Sequence, residues 1–239
     1  MTISGQFVPL RAACVVPAYN AADTLEQVID GVRQTVPRVR VVVVDDGSTD
    51  QTREVADRVA DDVVGFNLNR GKGAALRAGF EAALAERCST VLTIDADGQH
   101  DPAYAPALFS ALTRVDVVIG VRKRNGSDMP FYRRLSNALS SAAVSACTGR
   151  QFTDSQSGFR AVRAEVLRRI EPAGDRYEYE TDFLIQAARG GWRIGTVPVS
   201  TLYGAWARSH FRTLGDSARV VWTICRRLGE RSETPLHER

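Results

Sequence analysis

Short apolar runs alternate with helical patterns through the first half of this 239-residue chain. The most constraining run is the valine-rich segment 39–44, which is of the kind that a parallel sheet buries on both faces. Parallel strands need crossover connections, and helices supply these connections while covering the sheet. The alternation therefore predicts the α/β class, with a Rossmann-like, mostly parallel central sheet flanked by helices in a single domain.

Turn residues and capping residues set the bounds of the predicted elements. The predicted strands are residues 12–17, 39–44, 63–66, 90–94, 115–120 and 194–199. The last is expected at an edge of the sheet, because Pro198 cannot donate to a ladder. The predicted helices are residues 23–34, one opened by Ser48 and Asp50, 70–87, one opened by Asp101, 131–148, 161–170, 181–190 and 215–228. Residues 153–160 are predicted to form a polar connection.

Composition indicates a soluble globular protein, with 44% hydrophobic and 25% charged residues. The net charge is only +3, but basic residues cluster at 122–124, at 133–134 and from 208 to 231. These clusters favour an anionic substrate or membrane surface, and we expect no nucleic-acid partner. The four cysteines are widely spaced among apolar or small residues, which predicts reduced, buried thiols. Without a secretory signal or an apolar run of about 20 residues, the sequence predicts a cytoplasmic protein, peripheral at the inner face of the membrane.

Two carboxylates, one residue apart, follow the predicted strand at 90–94. In extended backbone, residues i and i+2 point to the same side, so Asp95 and Asp97 can face one hard cation, and Gln99 continues the alternation. Mg²⁺ or Mn²⁺, completed by water and substrate phosphates, is the cation that such a site prefers. An acidic turn after a strand is the alternative for so short a motif, and the neighbouring motifs favour the metal.

Two further motifs follow predicted strand ends. Pro17, Tyr19 and Asn20 end the first strand, where an aromatic ring can support a nucleobase or form a simple strand-to-helix turn. Asp45 and Asp46 end the second strand. Their carboxylates can accept hydrogen bonds from ribose hydroxyls or a base, or can favour the start of the next helix.

The segment 69–75, Asn-Arg-Gly-Lys-Gly-Ala-Ala, contains glycines and a lysine at the start of a predicted helix. It lacks the P-loop spacing, and no Gly-x-Gly-x-x-Gly follows the first strand, which argues against a P-loop NTPase and a nicotinamide enzyme. We expect Gly71 and Gly73 to let the helix backbone approach a nucleotide closely, with Lys72 as an electrostatic contact.

Five segments, in order and spacing, resemble glycosyltransferase family 2, the GT-A enzymes that use nucleotide-diphosphate sugars. They are residues 17–20, 43–50, 71–75, 95–102 and 154–160. Within that family, the chain is most similar to the polyprenol-phosphate, or dolichol-phosphate, mannosyltransferase and glucosyltransferase branch. The resemblance covers about the first 160 residues and implies a GT-A fold.

The resemblance also implies roles for individual residues. The implied nucleotide-binding residues are Pro17, Tyr19, Asn20, Asp45, Asp46, Lys72, Asp95 and Ala96, the implied metal ligands are Asp95, Asp97 and Gln99, and the implied phosphate or acceptor residues are Arg122, Arg133, Arg134, Ser209 and Arg212. Arginine suits phosphate because its planar fork pairs bidentately with phosphate oxygens. A solvated helix face is the alternative for Arg133 and Arg134. Arg212 stands in the region where the family tends to carry Ser-Lys.

Sugar transfer builds negative charge on the leaving diphosphate, where a divalent cation acts as a Lewis acid. Attack from the opposite face inverts the anomeric centre, and Asp97 and Asp154 are the predicted catalytic residues. A hydroxyl acceptor needs a general base, for which Asp154 and the acidic patch Glu178, Glu180 and Asp182 are candidates. The alternative for this patch is a helix N-terminal acidic cluster. A phosphate acceptor, with a second pKa of about 6, is already largely anionic and relaxes the need for a base.

We therefore expect an inverting, metal-dependent glycosyltransferase that moves a hexose to a polyprenyl phosphate, with GDP-mannose favoured as donor and UDP-glucose next. A soluble saccharide or small molecule is the alternative acceptor. A nucleotide-sugar pyrophosphorylase fits less well, because no Gly-rich signature with Arg and Lys lies near the N-terminus, and intact Asp95, Asp97 and Gln99 argue against a non-catalytic nucleotide-binding protein.

The predicted GT-A domain spans residues 1–213, with a nucleotide-binding half at about 10–122 and an acceptor half at about 123–213. Residues 214–239 are expected to form an amphipathic helix and tail. That helix would lie either on an anionic membrane surface or packed on the sheet.

Overall fold

The computed structural model describes residues 11–122 and 131–202, together with 223, 226 and 227. Its strands are β1 (Ala12–Ala18), β2 (Arg40–Asp45), β3 (Asp62–Gly65), β4 (Thr90–Thr93), β5 (Val117–Arg122), β6 (Arg160–Arg163) and β7 (Ile194–Val199). They form one sheet in the order β3-β2-β1-β4-β6-β5-β7. Neighbouring strands are parallel except at β6, which runs antiparallel to both β4 and β5. The predicted α/β class and mostly parallel sheet are confirmed.

Helices connect and cover these strands. They are α1 (Leu25–Thr35), α2 (Thr52–Val59), α3 (Lys72–Ala85), α4 (Ala105–Ala111), α5 (Phe131–Thr148), α6 (Ala164–Arg169) and α7 (Glu178–Arg189), with a 3-10 turn at Pro102–Tyr104 before α4. The Asp101 side chain accepts the Ala103 N–H at 2.9 Å and so begins that turn, as predicted.

The central strands are buried on both faces of the sheet. Cys14 and Val16 of β1 pack in the same cluster as Ile29 of α1. Val15, between them, packs in the opposite cluster with Phe80 of α3. Successive side chains of a strand point to opposite faces, and here both faces are covered by helices. This is the physical reason that β1 and β2 are continuous apolar runs in the sequence.

The sequence prediction is wrong for residues 160–163, which were expected to end a polar connection and begin a helix. They form β6 between β4 and β5, and α6 begins only at Ala164. The strand starts with buried Arg160, whose guanidinium donates to the carbonyl oxygens of Ser155, Ser157 and Glu180 at 2.9, 2.8 and 3.2 Å. A charged residue in mid-sheet is tolerated only with such partners, which the folded chain alone supplies.

The start of α1 also differs from the prediction. The helix begins at Leu25 and is preceded by Thr24, not capped by Asp23. The Thr24 hydroxyl donates to the Ala96 carbonyl oxygen at 2.6 Å. This hydrogen bond ties the start of α1 to the segment after β4. The edge position of β7 is confirmed, since it pairs only with β5.

The thiols of Cys14 and Cys88 are buried and that of Cys147 is partly buried, and none of the three is part of a disulfide. Cys225 lies outside the described residues. Among the helices that the structure describes, none is long and apolar enough to cross a membrane.

Two predicted acceptor residues, Ser209 and Arg212, lie outside the described residues, as does most of the predicted helix at 215–228. Thr223, which is buried, and Arg227 are described, and both are helical. The Arg189 guanidinium of α7 donates to the Arg227 carbonyl oxygen at 2.6 Å. This part of the tail therefore packs on α7.

Candidate active site

The carboxyl ends of β1, β2 and β4 carry most of the predicted site residues. These neighbouring parallel strands end at one edge of the sheet, so the loops that follow them meet there. Asn20, after β1, donates its backbone N–H to the Ser48 hydroxyl at 3.0 Å. Its side-chain oxygen accepts the Thr49 N–H at 2.8 Å. Asn20 therefore joins the loops after β1 and β2.

Asp95 forms an ion pair with Lys72, with Nζ and Oδ1 2.6 Å apart, and Lys72 also lies 3.2 Å from Glu180 Oε2. Burial disfavours the Asp95 charge, but Lys72, with His100 and Arg122, outweighs burial and holds the pKa of Asp95 below its ordinary value. Burial likewise disfavours the Lys72 ammonium, yet the two carboxylates raise the pKa of Lys72 above its ordinary value. Both members of the pair are therefore charged at neutral pH.

Asp97 lies in a different electrostatic environment. Burial, followed by the negative charge of Asp95, raises the pKa of Asp97 to about 6. Its Oδ1 accepts the Gln99 N–H at 3.0 Å, which fixes the orientation of the carboxyl group. A carboxylate disfavoured by burial and by a neighbouring anion is one that a bound cation stabilises.

The protein offers few ligands to such a cation. In the described part of the chain, no group of three or more His, Cys, Asp or Glu side chains is placed to hold a metal ion. Asp95 is already paired with Lys72, so Asp97 is the better placed carboxylate, with Gln99 nearby. Proteins usually hold Mg²⁺ through one or two carboxylates together with waters and substrate phosphates. The residues present fit Mg²⁺ or Mn²⁺ bound with a diphosphate.

Asp45 and Asp46 have different partners. The Asp46 carboxylate accepts the backbone N–H groups of Arg70 and Gly71 at 2.7 and 2.9 Å. Burial raises the pKa of Asp46 although these hydrogen bonds oppose the shift. Asp45 accepts the Ser48 N–H at 3.0 Å. Asp46 therefore holds the loop before α3, and Asp45 holds the turn that follows β2.

Gly71 and Gly73 are crowded by the protein itself. A Cβ on Gly71, whose φ is +109°, would lie 2.5 Å from the Asp175 carbonyl oxygen, and one on Gly73 would lie 2.8 Å from that of Arg176. The missing side chains of these glycines make room for the loop before α7, and their approach to a nucleotide stays a prediction. The close approach of that loop brings Lys72, at the start of α3, to Glu180 of α7.

Arg122, at the end of β5, and Asp154 form a bidentate ion pair. Nε and Nη2 of Arg122 donate to the two Asp154 oxygens at 2.7 and 2.8 Å. Burial disfavours the Asp154 charge, but the Arg122 hydrogen bonds and charge outweigh burial and hold the pKa of Asp154 below its ordinary value. Such a carboxylate is a weak base, and its geometry suits it to orienting Arg122.

The three carboxylates of the predicted acidic patch form hydrogen bonds or ion pairs with other residues of the fold. Glu178 Oε1 accepts two backbone N–H groups of the loop before α7, both at 3.3 Å. Glu180 pairs with Lys72, and buried Asp182 accepts Arg227 Nε and Nη2 at 2.6 and 2.9 Å. All three carboxylates therefore have partners in the structure.

The other predicted nucleotide-binding residues lie in β1 and in the loops that follow β1 and β4. Pro17 is a partly buried residue of β1, Tyr19 follows in the loop after that strand, and Ala96 is buried between the two carboxylates. Arg133 and Arg134 lie in the first turn of α5, and their side chains are outside the described part of the structure.

Two residues close to Asp95, His100 and Gly158, carry no predicted role. Buried His100 has its Nε2 4.0 Å from Asp95 Oδ2, and burial lowers the pKa of His100 to about 4, so its ring is neutral at neutral pH. Gly158 lies so close that a Cβ there would overlap the Asp95 carboxylate. The available signals were the position of His100 directly after Gln99 and the glycine within segment 154–160.

A mostly parallel α/β sheet with paired carboxylates after its central strand fits the GT-A fold of glycosyltransferases. Residues 13–171 match the family model described as Glycosyl transferase family 2, and the chain belongs to that family.

Two named proteins are similar to this chain over most of its length. The chain is 34% identical over 202 residues to the undecaprenyl-phosphate mannosyltransferase of Micrococcus luteus, covering 80% of this chain and 83% of that protein. It is 30% identical over 203 residues to the polyprenol monophosphomannose synthase of Mycolicibacterium smegmatis, covering 80% and 77%.

Solved structures share the fold. Glucosyl-3-phosphoglycerate synthase from Mycobacterium tuberculosis in complex with UDP superposes with a TM-score of 0.73 at 25% identity, covering 92% of this chain and 80% of that chain. The same synthase with Mn²⁺, UDP and glucosyl-3-phosphoglycerate gives a TM-score of 0.71 at 26% identity, with the same coverage.

Proposed function

We propose that this glycosyltransferase moves a hexose from a nucleoside-diphosphate sugar to a polyprenyl phosphate, with inversion at the anomeric carbon. The observation that carries the proposal is the partly buried Lys72–Asp95 pair beside Asp97 at the carboxyl edge of the sheet. It supplies fixed charges where a diphosphate and its cation would lie. The names of two relatives, at 34% and 30% identity, join mannose to a polyprenyl phosphate and support this acceptor class.

Mg²⁺ or Mn²⁺ would be held by Asp97, with Asp95 and Gln99 beside it, and would act as a Lewis acid on the leaving diphosphate. Lys72 keeps Asp95 ionised, and Glu180 holds Lys72 in position. The Mn²⁺ and UDP bound by the solved synthase support a divalent cation at this edge.

The nucleoside would lie over the ends of β1 and β2. Pro17, Tyr19 and Asp45 are the residues that we propose to line its pocket. Asn20 and Asp46 would shape that pocket through the loops that they hold. The names of the relatives support mannose as the sugar, so GDP-mannose is the donor that we favour and UDP-glucose is next.

Arg122 would bind the acceptor phosphate, with Arg133, Arg134 and the tail residues Ser209 and Arg212 as further candidates. Asp154 would orient Arg122 through their bidentate pair. A general base is unnecessary in this proposal, because a phosphate monoester with a second pKa of about 6 arrives as an anionic nucleophile. The structural partners of Asp154, Glu180 and Asp182 support that choice.

A soluble phosphorylated acceptor is the second candidate. It is favoured by the solved synthase, whose bound product is glucosyl-3-phosphoglycerate. Arg122 could meet a phosphate of either acceptor, so the site chemistry is shared.

We further propose that residues 214–239 bring the domain at 1–213 to the membrane surface that holds the lipid. Arg227 would not contribute to such a surface, because its guanidinium is bound to Asp182.

The test is a panel of donors and acceptors with Mn²⁺ and with chelator. GDP-mannose and UDP-glucose are each supplied with a short-chain polyprenyl phosphate, with 3-phosphoglycerate and with a neutral sugar. We expect glycosyl lipid from one donor, only with Mn²⁺. Transfer to 3-phosphoglycerate alone would select the second candidate, and metal-independent transfer would contradict the proposed site.

A further inference from the structure

A cavity of about 530 Å³ opens at the amino end of β4, the opposite end from the candidate active site. It lies among the end of α3, the end of α4 and the start of α6. Its lining includes three arginines, Arg87, Arg163 and Arg168, and one carboxylate, Glu165. Glu165 pairs with Arg169 at 3.3 Å, so the cavity keeps an excess of positive charge.

Thr90, the first residue of β4, lines this cavity and is only 8% exposed. Its hydroxyl oxygen has no hydrogen-bond partner among the described residues. Thr90 is directly opposite Arg163 in the antiparallel β4–β6 pair, so the two side chains share one face of the sheet. A buried hydroxyl without a partner is costly, and a bound ligand would remove that cost.

Two of the three arginines are available to a ligand. Arg163 donates to the carbonyl oxygens of Leu112 and Val115, which hold it as part of the wall. The side chains of Arg87 and Arg168 are exposed and form no ion pair or hydrogen bond within the parts of the chain that the structure describes. Guanidinium groups pair bidentately with phosphate, and a hydroxyl can donate to a third oxygen.

Arg87 also has an unusual backbone conformation. It follows the end of α3 with φ at +57°, a position where glycine is favoured. A non-glycine residue there carries a conformational cost, and Arg87 lines the cavity together with Thr90 and Arg168.

We propose that this cavity binds the phosphate group of a small soluble molecule, with Arg87 and Arg168 as the charged contacts and Thr90 as the hydroxyl donor. The volume is in the range of small-molecule sites and exceeds that of a phosphate ion, so the natural ligand is a phosphorylated compound. The site is separate from the proposed donor site, since the two lie at opposite ends of β4.

Inorganic phosphate is the probe, titrated into chelator-treated protein at constant ionic strength and followed by backbone amide NMR. We expect saturable shifts at Ser89, Thr90 and Ala164, with the Asp97 amide unmoved. Glycerol 3-phosphate should produce the same shifts. Anionic lipid vesicles without soluble phosphate should not, and shifts with vesicles alone would replace the soluble ligand by a lipid headgroup and overturn the proposal.

Two variants and one control test whether Thr90 and Arg87 contact the bound phosphate. Thr90→Val and Arg87→Gly should each weaken phosphate binding about tenfold, because each removes one contact to a charged ligand. Arg38→Gly is the matched control, because Arg38 is also exposed and also has a positive φ, +73°, but does not line the cavity. Its phosphate affinity should be unchanged. Equal weakening in Arg87→Gly and Arg38→Gly would reduce the effect to net charge and overturn the proposal.

Stability without phosphate separates a ligand contact from a structural one. Thr90→Val should melt at the same or a higher temperature, since the buried hydroxyl has no partner in the described structure. Lower stability of Thr90→Val in phosphate-free buffer, or an absence of saturable shifts in the parent protein, would overturn the proposal.

Discussion

Asp97 is the residue on which the metal proposal depends most. Its carboxyl group is disfavoured as an anion by burial and by Asp95, and these raise its pKa to about 6. A bound cation would stabilise the Asp97 carboxylate against both effects. The burial and the repulsion that destabilise the metal-free carboxylate therefore favour metal binding.

Replacing this carboxylate should separate activity from stability. We expect Asp97→Asn to lower Mn²⁺-dependent transfer by about a hundredfold or more, because the charge on the leaving diphosphate would lose its cation. The metal-free variant should melt at the same temperature as the parent or higher, since a carboxyl group with a raised pKa opposes folding at neutral pH. Transfer rates and melting curves check both points. A fully active, Mn²⁺-responsive Asp97→Asn protein would contradict the site assignment.

Arg122 and Asp154 are expected to act as one unit. Asp154→Asn and Arg122→Lys should each lower kcat/KM about tenfold or more, because each breaks the bidentate pair. The double variant should lose no more than the worse single variant. Steady-state kinetics of the four proteins form the cycle. Additive losses, or loss of the acidic limb of the pH–rate profile in Asp154→Asn alone, would mark Asp154 as a base instead.

At the scale of elements, the contact between the start of α3 and the loop before α7 positions Lys72. Gly73→Ala tests it, since the added Cβ would lie 2.5 Å from Tyr179 Cβ and 2.8 Å from the Arg176 carbonyl oxygen. We expect a loss of about 1–3 kcal/mol in the free energy of unfolding and reduced transfer, because overpacking exceeds the helix-propensity gain of about 1 kcal/mol.

Ala78→Gly, in the same helix, measures the propensity contribution alone and serves as the reference for that variant. Denaturant unfolding of both variants gives the comparison. A Gly73→Ala protein more stable than the parent would show that α3 and the loop before α7 are not in close contact.

The pairing of α7 with the tail predicts a pH-dependent stability. Burial disfavours the Asp182 charge, but hydrogen bonds from Arg227, Ala173 and Gln186 outweigh burial and hold the pKa of Asp182 below its ordinary value. The ion pair therefore stabilises the fold above the ordinary aspartate pKa of about 3.9, and this contribution is lost as the pH falls through the lower folded value.

Asp182→Asn should accordingly cost about 3 kcal/mol at pH 7, because it breaks a bidentate ion pair between a fully buried carboxylate and a partly buried guanidinium. The difference from the parent should narrow as the pH falls below about 4. Asp57→Asn, in an exposed pair with Arg53, is the control and should cost less than about 1 kcal/mol. Urea unfolding at several pH values measures both, and equal costs for the two variants would contradict the buried pair.

Elements with a regular local pattern could be predicted from the sequence, and those held by distant contacts could not. The valine run of β2 is enough to predict a buried parallel strand, since burial on both faces requires apolar residues throughout. The four-residue β6 begins with an arginine and has no such pattern, because Arg160 is satisfied by carbonyl oxygens that only the fold brings to it.

The same distinction holds in the site. The apolar run before Asp95 and Asp97 places both carboxylates after a strand, and the neighbouring motifs are needed to favour a metal there, which stays a prediction. The Lys72–Glu180 contact joins residues of α3 and α7, and the Arg122–Asp154 pair joins a strand end to a loop, so neither could be predicted from local sequence. For that reason, the predicted base Asp154 is better explained as a partner of Arg122.

For the whole molecule, the sheet places the proposed donor site at one end of β4 and the arginine-lined cavity at the other. The proposed membrane contact lies in the tail at residues 214–239. The proposed acceptor phosphate site begins at Arg122 and uses residues that follow it in the chain. A polyprenyl phosphate acceptor unites these features, because its phosphate would meet Arg122 while its chain remains in the lipid.

The most direct measurement compares a polyprenyl phosphate with the matching polyprenol in the Mn²⁺-dependent transfer assay, using the donor that the panel selects. At neutral pH the phosphate is largely a dianion and supplies its own nucleophile, whereas the alcohol needs a base. We predict glycosyl lipid from the phosphate and none from the polyprenol. Equal amounts of glycosyl lipid from the two lipids would contradict the proposed function. Donor turnover at the same rate with and without either lipid would also contradict it.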